Sequence, residues 1–481
     1  MFQIYNSYTN KKEIFKPITE GKVKIYSCGP TVYNYAHVAN FSSFLMGDIL
    51  VRYLRYKGNK VTWISNITDV GHLTDDDNGD DGDDRMELAA KKENKTPIEV
   101  ARFYEKVFKE DIEKLNITIA DKYPRATEHI DEMIEIIESL VKKGFTYETS
   151  DGIYFDISKF PKYGELSGNK LESLVAGSRV EVNEEKRSPF DFALWKKLVG
   201  KNENHSMKWD SPWGTGFPGW HIECSAMSRK YLGDTLDFHT GGEDNKFPHH
   251  ESEIAQSESF TGKTYSNYWL HKSHIMINSE KMSKSLGNFF TVSDLVEKGY
   301  NPLAIRFTLI STHYRSKLNL TLEAIEASDK TIVKFNDFIQ KLLELIENNK
   351  IDTIEKNCKS INSIIKSTKQ QFEKALDDDL NISSALASFF GFIKSINKQI
   401  NKNNVSSEIA NNILKFVKEI DSVFGVMNFE KREEKKITSD DKKKIDDLLV
   451  LRDKFRTEKN WVEADKIRDM LNEMGVKIAD K

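Results

Sequence analysis

Lys281-Met282-Ser283-Lys284-Ser285 sets two ammonium groups three residues apart among small hydroxyl side chains, with Gly287 close behind. That pattern suits a mobile loop that lays cations on phosphate oxygens, where they stabilise the charge that develops as pyrophosphate leaves. Taken alone, it also fits a solvated basic turn. A second group lies far upstream at His37-Val38-Ala39-Asn40, whose imidazole and carboxamide can both donate to phosphate. A third set is Cys28, Cys224, His249 and Glu253. His249 and Glu253 are four apart, so on a helix they share one face, the spacing two ligands of one metal need. Two thiolates, an imidazole and a carboxylate make a reasonable zinc set by softness and count. On spacing alone the alternative stays open, that two scattered cysteines are small buried hydrophobes.

These residues need elements to hold them. Val23 to Ser27 reads as a short strand broken by Cys28-Gly29-Pro30-Thr31. From Phe41, apolar residues at 41, 44, 45, 49, 53 and 54 carry the period of an amphipathic helix that ends near Lys57-Gly58, and Val61 to Ser65 is a second buried strand. Strand, turn, helix, strand begins a parallel doubly wound sheet, with ligands at the carboxyl ends of the strands. His37 then sits at the start of the helix, where free N–H groups and the positive dipole end favour phosphate. The acidic stretch Asp75 to Glu87 does not place its acids at the positions of a calcium loop around Gly79 or Gly82, so it reads as a solvated loop. Helices are expected at Pro97–Leu115 and Glu128–Lys143, and a hairpin turning at Asp151-Gly152. Residues 121–204 thus read as an α+β insertion between the halves of the nucleotide fold, 1–120 and 205–275. A stem-contact region with the lysine loop follows at 276–320, then a helical bundle at 321–430 and a small terminal unit at 439–481.

The bulk composition narrows the classes. At 481 residues with 38% apolar and 30% charged side chains, the chain fits about three globular domains. A net charge of −4 and a pI of about 6.3 exclude a simple basic nucleic-acid scaffold, though local patches can still hold a folded RNA. Three cysteines, Cys28, Cys224 and Cys358, cannot build a disulfide framework and point to a reducing compartment. No run of about 18 apolar residues occurs and the N-terminus has no basic-then-apolar leader, so no membrane association is expected.

KMSKS and His37-Val38-Ala39-Asn40 resemble the two signatures of class I aminoacyl-tRNA synthetases, the first of which, HIGH, is altered here at Ala39 and Asn40. Together CGPTVYNYAHV, NITDVGHLTDD, PGWHIECSAM, FPHHESEIAQSE and KMSKSLGNFFT resemble the cysteinyl-tRNA synthetase family essentially end to end. The resemblance implies a Rossmann-type α/β catalytic domain with an α+β insertion, a helical bundle and a C-terminal anticodon-binding unit. It implies activation of L-cysteine by ATP with Mg2+, then transfer to the 3′-terminal adenosine of cysteine tRNA, by a monomer in the cytoplasm. Cys28, Cys224, His249 and Glu253 correspond to ligands of one zinc, which takes the substrate thiolate and so sets cysteine apart from serine. His37, Asn40, Lys281 and Lys284 correspond to the catalytic groups, His37, Asn40 and Lys284 on ATP. Thr68, Trp220, His239 and Asp244 line the cysteine and adenylate pocket. Thr240 departs from the glycine-richer wall of the family. Arg456, Trp461, Asp465 and Asp480 correspond to anticodon contacts. A related ligase acting on an amino sugar would have no use for that terminal unit, and the intact KMSKS opposes a silent paralogue.

Overall fold

The computed structural model describes residues 1–70, 84–169, 185–277, 280–281, 290–348, 355–432, 439–458 and 460–473. After an antiparallel pair, β1 (Gln3–Asn6) and β2 (Lys11–Ile14), the chain forms β3 (Lys22–Ser27), α1 (Val38–Tyr56) and β4 (Lys60–Ser65). β3 and β4 pair in parallel from Val23 opposite Val61 to Ser27 opposite Ser65. The apolar period of Phe41, Phe44, Leu45, Ile49, Tyr53 and Leu54 is buried throughout α1.

The acidic stretch does not stay a loop to Glu87. A helix, α2 (Arg85–Glu93), opens inside it because the Asp84 carboxylate accepts from the N–H groups of Met86 (2.7 Å) and Glu87 (3.1 Å). Residues 75–83 of that stretch lie outside the described residues. α3 (Pro97–Lys114) starts on a Thr96–Glu99 capping box with proline in its first turn. α4 (Ile130–Lys142) leads into β5 (Thr146–Glu148), β6 (Gly152–Phe155), β7 (Phe192–Lys197) and β8 (Gly216–Pro218), an antiparallel sheet in that order. β8 lies beyond residue 204, the expected end of the insertion. Trp209 and Gly216 exchange both backbone hydrogen bonds, at 2.8 and 2.9 Å, and fold this segment back so that Pro218 pairs with Trp195.

α5 (Trp220–Leu232), β9 (Leu236–Gly242), α6 (His249–Thr261) and β10 (Ser266–Lys272) complete the nucleotide fold. Its sheet is parallel throughout, in the order β10-β9-β3-β4. β11 (Ile275–Ile277), β12 (Glu280–Lys281), α7 (Val292–Glu297), α8 (Pro302–Ser311) and β13 (Leu318–Leu320) follow. Lys281, expected in a mobile loop, is on β12 opposite Met276. Residues 282–289, including Lys284, lie outside the described residues. The bundle is α9 (Leu322–Glu347), α10 (Glu355–Asp377), α11 (Ile382–Ile400) and α12 (Ser407–Phe424), and the terminal unit is a helical hairpin, α13 (Ser439–Thr457) and α14 (Trp461–Glu473).

Alternation along the strands divides the core. Val23 and Ile25 join α1, α3 and the bundle in one cluster, whereas Tyr26 and Ile64 join α4, α5, α6 and the insertion on the other face. The terminal hairpin has its own small cluster of Ile445, Ile467 and Leu471. No helix among the described residues is long and apolar enough to cross a membrane.

Candidate active site

The carboxyl ends of β3 and β9 and the amino-terminal turns of α1, α5 and α6 enclose one region, and the chemically active residues gather there. Cys28 directly follows β3, Cys224 is on the first turns of α5, and His249 and Glu253 lie one turn apart on α6. One ligand atom from each of the four comes within 4.8 Å of every other. All but Cys28 are at most 2% exposed. A tetrahedral zinc with bonds of about 2.0–2.3 Å separates its ligands by about 3.3–3.8 Å, so small rotations of these side chains suffice.

The surrounding hydrogen bonds aim the donors. His249 Nδ1 faces His221 Nδ1 at 2.9 Å, which leaves Nε2 towards Glu253 Oε1 at 3.1 Å. The other Glu253 oxygen, Oε2, is held by His239 Nε2 and by the Tyr265 hydroxyl, both at 2.9 Å. Outer partners that lock the tautomer of a histidine and one oxygen of a carboxylate are what a metal centre needs, so the residues present fit a zinc ion. Burial drives both thiols above the ordinary cysteine value, Cys224 furthest, so a metal entering this set would release protons. A second, overlapping group of Cys28, His239, His250 and Glu253 also lies within 4.8 Å. It has one sulfur in place of two, and the softer first set suits zinc better.

The pocket residues surround this cluster. Trp220 opens α5 and stacks on His249, ring centroids 4.3 Å apart. His239 stacks on Trp269 at 4.5 Å. Thr68 is buried beside Asn66, whose amide donates to its hydroxyl at 2.9 Å. Asp244 folds back over the end of β9, so close that a Cβ on Gly242 would meet its Oδ1 at 2.5 Å. A Cβ on Gly241 would meet the His250 ring at 2.8 Å. Thr240 directly precedes both glycines and faces the side of the strand opposite to Gly241, where its hydroxyl bonds Ser27 Oγ at 2.7 Å beneath Gly47 of α1. Its side chain therefore does not narrow the metal side of the pocket.

His37 is the N-cap of α1. Its Nδ1 accepts from the Asn40 backbone N–H at 3.1 Å, and Asn40 Oδ1 accepts from the His37 N–H at 3.1 Å. Both side chains cap the helix through acceptor atoms. The neutral His37 ring then carries its proton on Nε2, and the Asn40 carboxamide keeps its amino group as donor. In the terminal hairpin Arg456 closes α13, Trp461 opens α14 at 58% exposure, and Asp465 pairs with Arg468 at 2.8 Å. Asp480 lies outside the described residues.

The sequence reading named His239 for the pocket but missed the other outer partners. His221 and His250 stand beside ligands in the GWHIEC and PHHE strings, a signal that was there to use. Tyr265 and Trp269 come from β10 and its approach, and no spacing in the sequence connects them to α6. Glu223 is also buried next to Cys224, beside Thr68, and burial pushes its carboxyl well above the ordinary glutamate value.

Residues 14–330 match the family described as tRNA synthetases class I (C) catalytic domain, and residues 371–428 match the DALR domain. The chain is 43% identical to a cysteine–tRNA ligase from Treponema denticola over 493 residues, covering 100% of this chain and 98% of that one. It is also 43% identical to a cysteine–tRNA ligase from Pyrococcus furiosus, at 100% and 98% coverage. Among solved structures, Mycobacterium tuberculosis methionyl-tRNA synthetase in complex with methionyl-adenylate superposes with a TM-score of 0.58 at 13% identity, over 84% of this chain and 88% of that one. A LeuRS–tRNA ternary complex from Agrobacterium radiobacter gives 0.61 at 11% identity, over 85% of each chain. These two likenesses concern the fold.

Proposed function

The chain belongs to the cysteine–tRNA ligase family of class I aminoacyl-tRNA synthetases, and from that premise we propose how its own residues perform the reaction. The activity is ATP-dependent ligation of cysteine to tRNA. The cysteine carboxylate attacks the α-phosphorus and pyrophosphate leaves; a ribose hydroxyl of the terminal adenosine then attacks the carbonyl and AMP leaves. No protein nucleophile is needed, so the catalytic work is positioning and stabilisation of charge.

Held by Cys28, Cys224, His249 and Glu253, one zinc per chain would supply a soft Lewis-acid contact that favours an ionised thiol over the hard, poorly ionised hydroxyl of serine. Trp220 and His239 wall the pocket around that cluster, and Thr68 and Asp244 orient the amino-acid and adenylate portions. His37 Nε2–H and the Asn40 amino group donate to ATP phosphates at the positive end of α1. Lys281 and Lys284 neutralise the leaving pyrophosphate, which travels with Mg2+. Arg456, Trp461, Asp465 and Asp480 read the anticodon on the terminal hairpin. All of these groups come from one chain, so a monomer suffices. The thiols of the donor set need a reducing compartment, which favours the cytoplasm.

The observation that supports this reading is the Cys28–Cys224–His249–Glu253 cluster, three of its four members buried, which gathers directly after the carboxyl end of β3. Cysteine-dependent ATP–pyrophosphate exchange and charging of cysteine tRNA test it. The wild type should do both, and Cys224→Ser should lose discrimination against serine in exchange. Undiminished discrimination in that variant would refute the assigned zinc role.

A further inference from the structure

We propose that Asn66 is a positioning residue of the cysteine site: one end of its carboxamide fixes the peptide that follows Cys28, and the other fixes the hydroxyl of Thr68. The inference rests on the reading just given, in which Cys28 is a metal ligand and Thr68 orients the amino acid. Asn66 directly follows β4 and is 1% exposed. The parallel ladder of β3 and β4 ends at Ser27 opposite Ser65. Beyond that point the Asn66 side chain takes the place of a backbone acceptor, its Oδ1 accepting from the Gly29 N–H at 2.8 Å. Its Nδ2 donates to Thr68 Oγ1 at 2.9 Å. The amide is held in this orientation because a flipped group would set its amino donor against the Gly29 N–H.

Both contacts act on backbone that is otherwise short of ties. Gly29 lies so close to Asn66 that a Cβ on it would meet the Asn66 carbonyl oxygen at 1.6 Å, so the approach requires glycine. The Cys28 N–H donates to the Thr240 carbonyl of β9 at 3.1 Å, and Pro30, two residues on, has no N–H to offer. The Cys28 thiol therefore projects from a stretch tied to β9 on one side and to Asn66 on the other. Thr68 is clamped to the same stretch: its N–H donates to the Pro30 carbonyl at 3.0 Å, and its carbonyl accepts from the Val32 N–H at 3.1 Å. The freedom left to it is the hydroxyl. Asn66 occupies one lone pair of that oxygen and leaves the second to accept from the α-ammonium of cysteine. One buried carboxamide thus sets the thiol end and the ammonium end of the same substrate.

The test uses the full chain loaded with Co2+ in place of zinc, and compares wild type, Asn66→Ala and Asn66→Asp. Alanine keeps neither contact, whereas aspartate keeps the acceptor for the Gly29 N–H. In Asn66→Ala, cobalt affinity should fall at least about tenfold, as is usual when an outer partner of a metal centre is removed, and the thiolate-to-cobalt absorption should weaken. Asn66→Asp should restore both. The Thr68 contact is read in cysteine-dependent ATP–pyrophosphate exchange. Asn66→Ala should raise the KM for cysteine and leave that for ATP unchanged, and its effect combined with Thr68→Val should fall short of the product of the two single effects. Cobalt affinity unchanged in Asn66→Ala, cobalt absorption lost in Asn66→Asp, fully multiplicative effects on the cysteine KM, or an equal rise in the KM for ATP would each overturn the proposal. A wild type that takes up no cobalt would refute the metal assignment itself, and this inference with it.

Discussion

His37 and Asn40 close a capping box through their acceptor atoms, and in the proposed reading their donor atoms serve ATP phosphate. Substitutions can separate these roles. Asn40→Asp preserves the carbonyl-type acceptor and replaces the donor by a negative charge. Thermal stability should change little, because aspartate is an equally good partner at a helix start. Cysteine-dependent exchange should fall about a hundredfold, the usual loss when one transition-state donor is removed. Asn40→Ala should reduce both, measured by calorimetry alongside exchange. At the candidate metal cluster, Cys224→Ser removes one of two sulfurs from the donor set. Zinc per chain, measured on protein purified without added metal, should fall clearly below that of the wild type. Full retention would mean that the His239–His250 group, not Cys224 and His249, holds the ion.

In the proposed reading, individual elements carry separable parts of the function. The terminal hairpin packs Ile445 against Ile467 and Leu471 in a cluster of its own, apart from both large cores. A chain ending at about residue 436 should therefore keep exchange and lose most charging of cysteine tRNA. Trp461→Ala should give a smaller loss of the same kind, roughly 1–3 kcal/mol if an unpaired base stacks there. Loss of exchange on truncation would show that the hairpin supports the catalytic body. A second element-scale contact is the clasp between α2 and the segment before β8. His205 Nε2 meets Asp84 Oδ2 at 3.0 Å, and Ser206 donates through its backbone N–H to Glu87 Oε1 at 2.8 Å. Burial works against charge on His205, but Asp84 outweighs it and raises the imidazole above its ordinary pKa. A raised histidine stabilises the fold fully below the unfolded value of about 6.5 and loses that contribution as pH rises through the folded value. The stability gap between wild type and Asp84→Asn should thus narrow on going from pH 5.5 to pH 8 in urea titrations.

At the scale of the whole molecule, a buried charge network bolts the bundle to the nucleotide fold. Arg306 of α8 donates to Asp48 of α1 at 2.6 Å, to the Phe424 carbonyl at 2.7 Å and to the Asn116 carbonyl at 2.8 Å. Arg52 adds two bonds of 2.9 Å to the same carboxylate. Asp48 and Arg306 are both fully buried. Asp48→Asn would leave arginines in the core without their counter-charge, and a loss of about 3–5 kcal/mol is expected in chemical denaturation. Burial pushes the Asp48 carboxyl up, yet Arg306 and Arg52 more than compensate and hold it below the ordinary aspartate value. Its contribution is present above the unfolded pKa and lost as pH falls through the folded one, so the wild-type advantage over Asp48→Asn should vanish in acid.

Much of this was legible in the sequence because it is local. The period from Phe41 to Leu54, the breaks at Gly29-Pro30 and Asp151-Gly152, and the four-residue step from His249 to Glu253 each express the geometry of one element. Even the convergence of four candidate ligands from three segments could be expected, once the motifs were recognised in order. What local pattern could not supply were contacts made across elements. The start of α2 depended on the Asp84 carboxylate finding two N–H groups, and the insertion's fourth strand on residues 209–216 folding back onto β7. Tyr265 and His239 reach Glu253 only because β9 and β10 lie side by side. The placement of Asn66 is of the same kind. On paper it is one more asparagine after a strand; its hold on the peptide after Cys28 follows from β3 and β4 ending side by side, a packing outcome that no window of residues encodes.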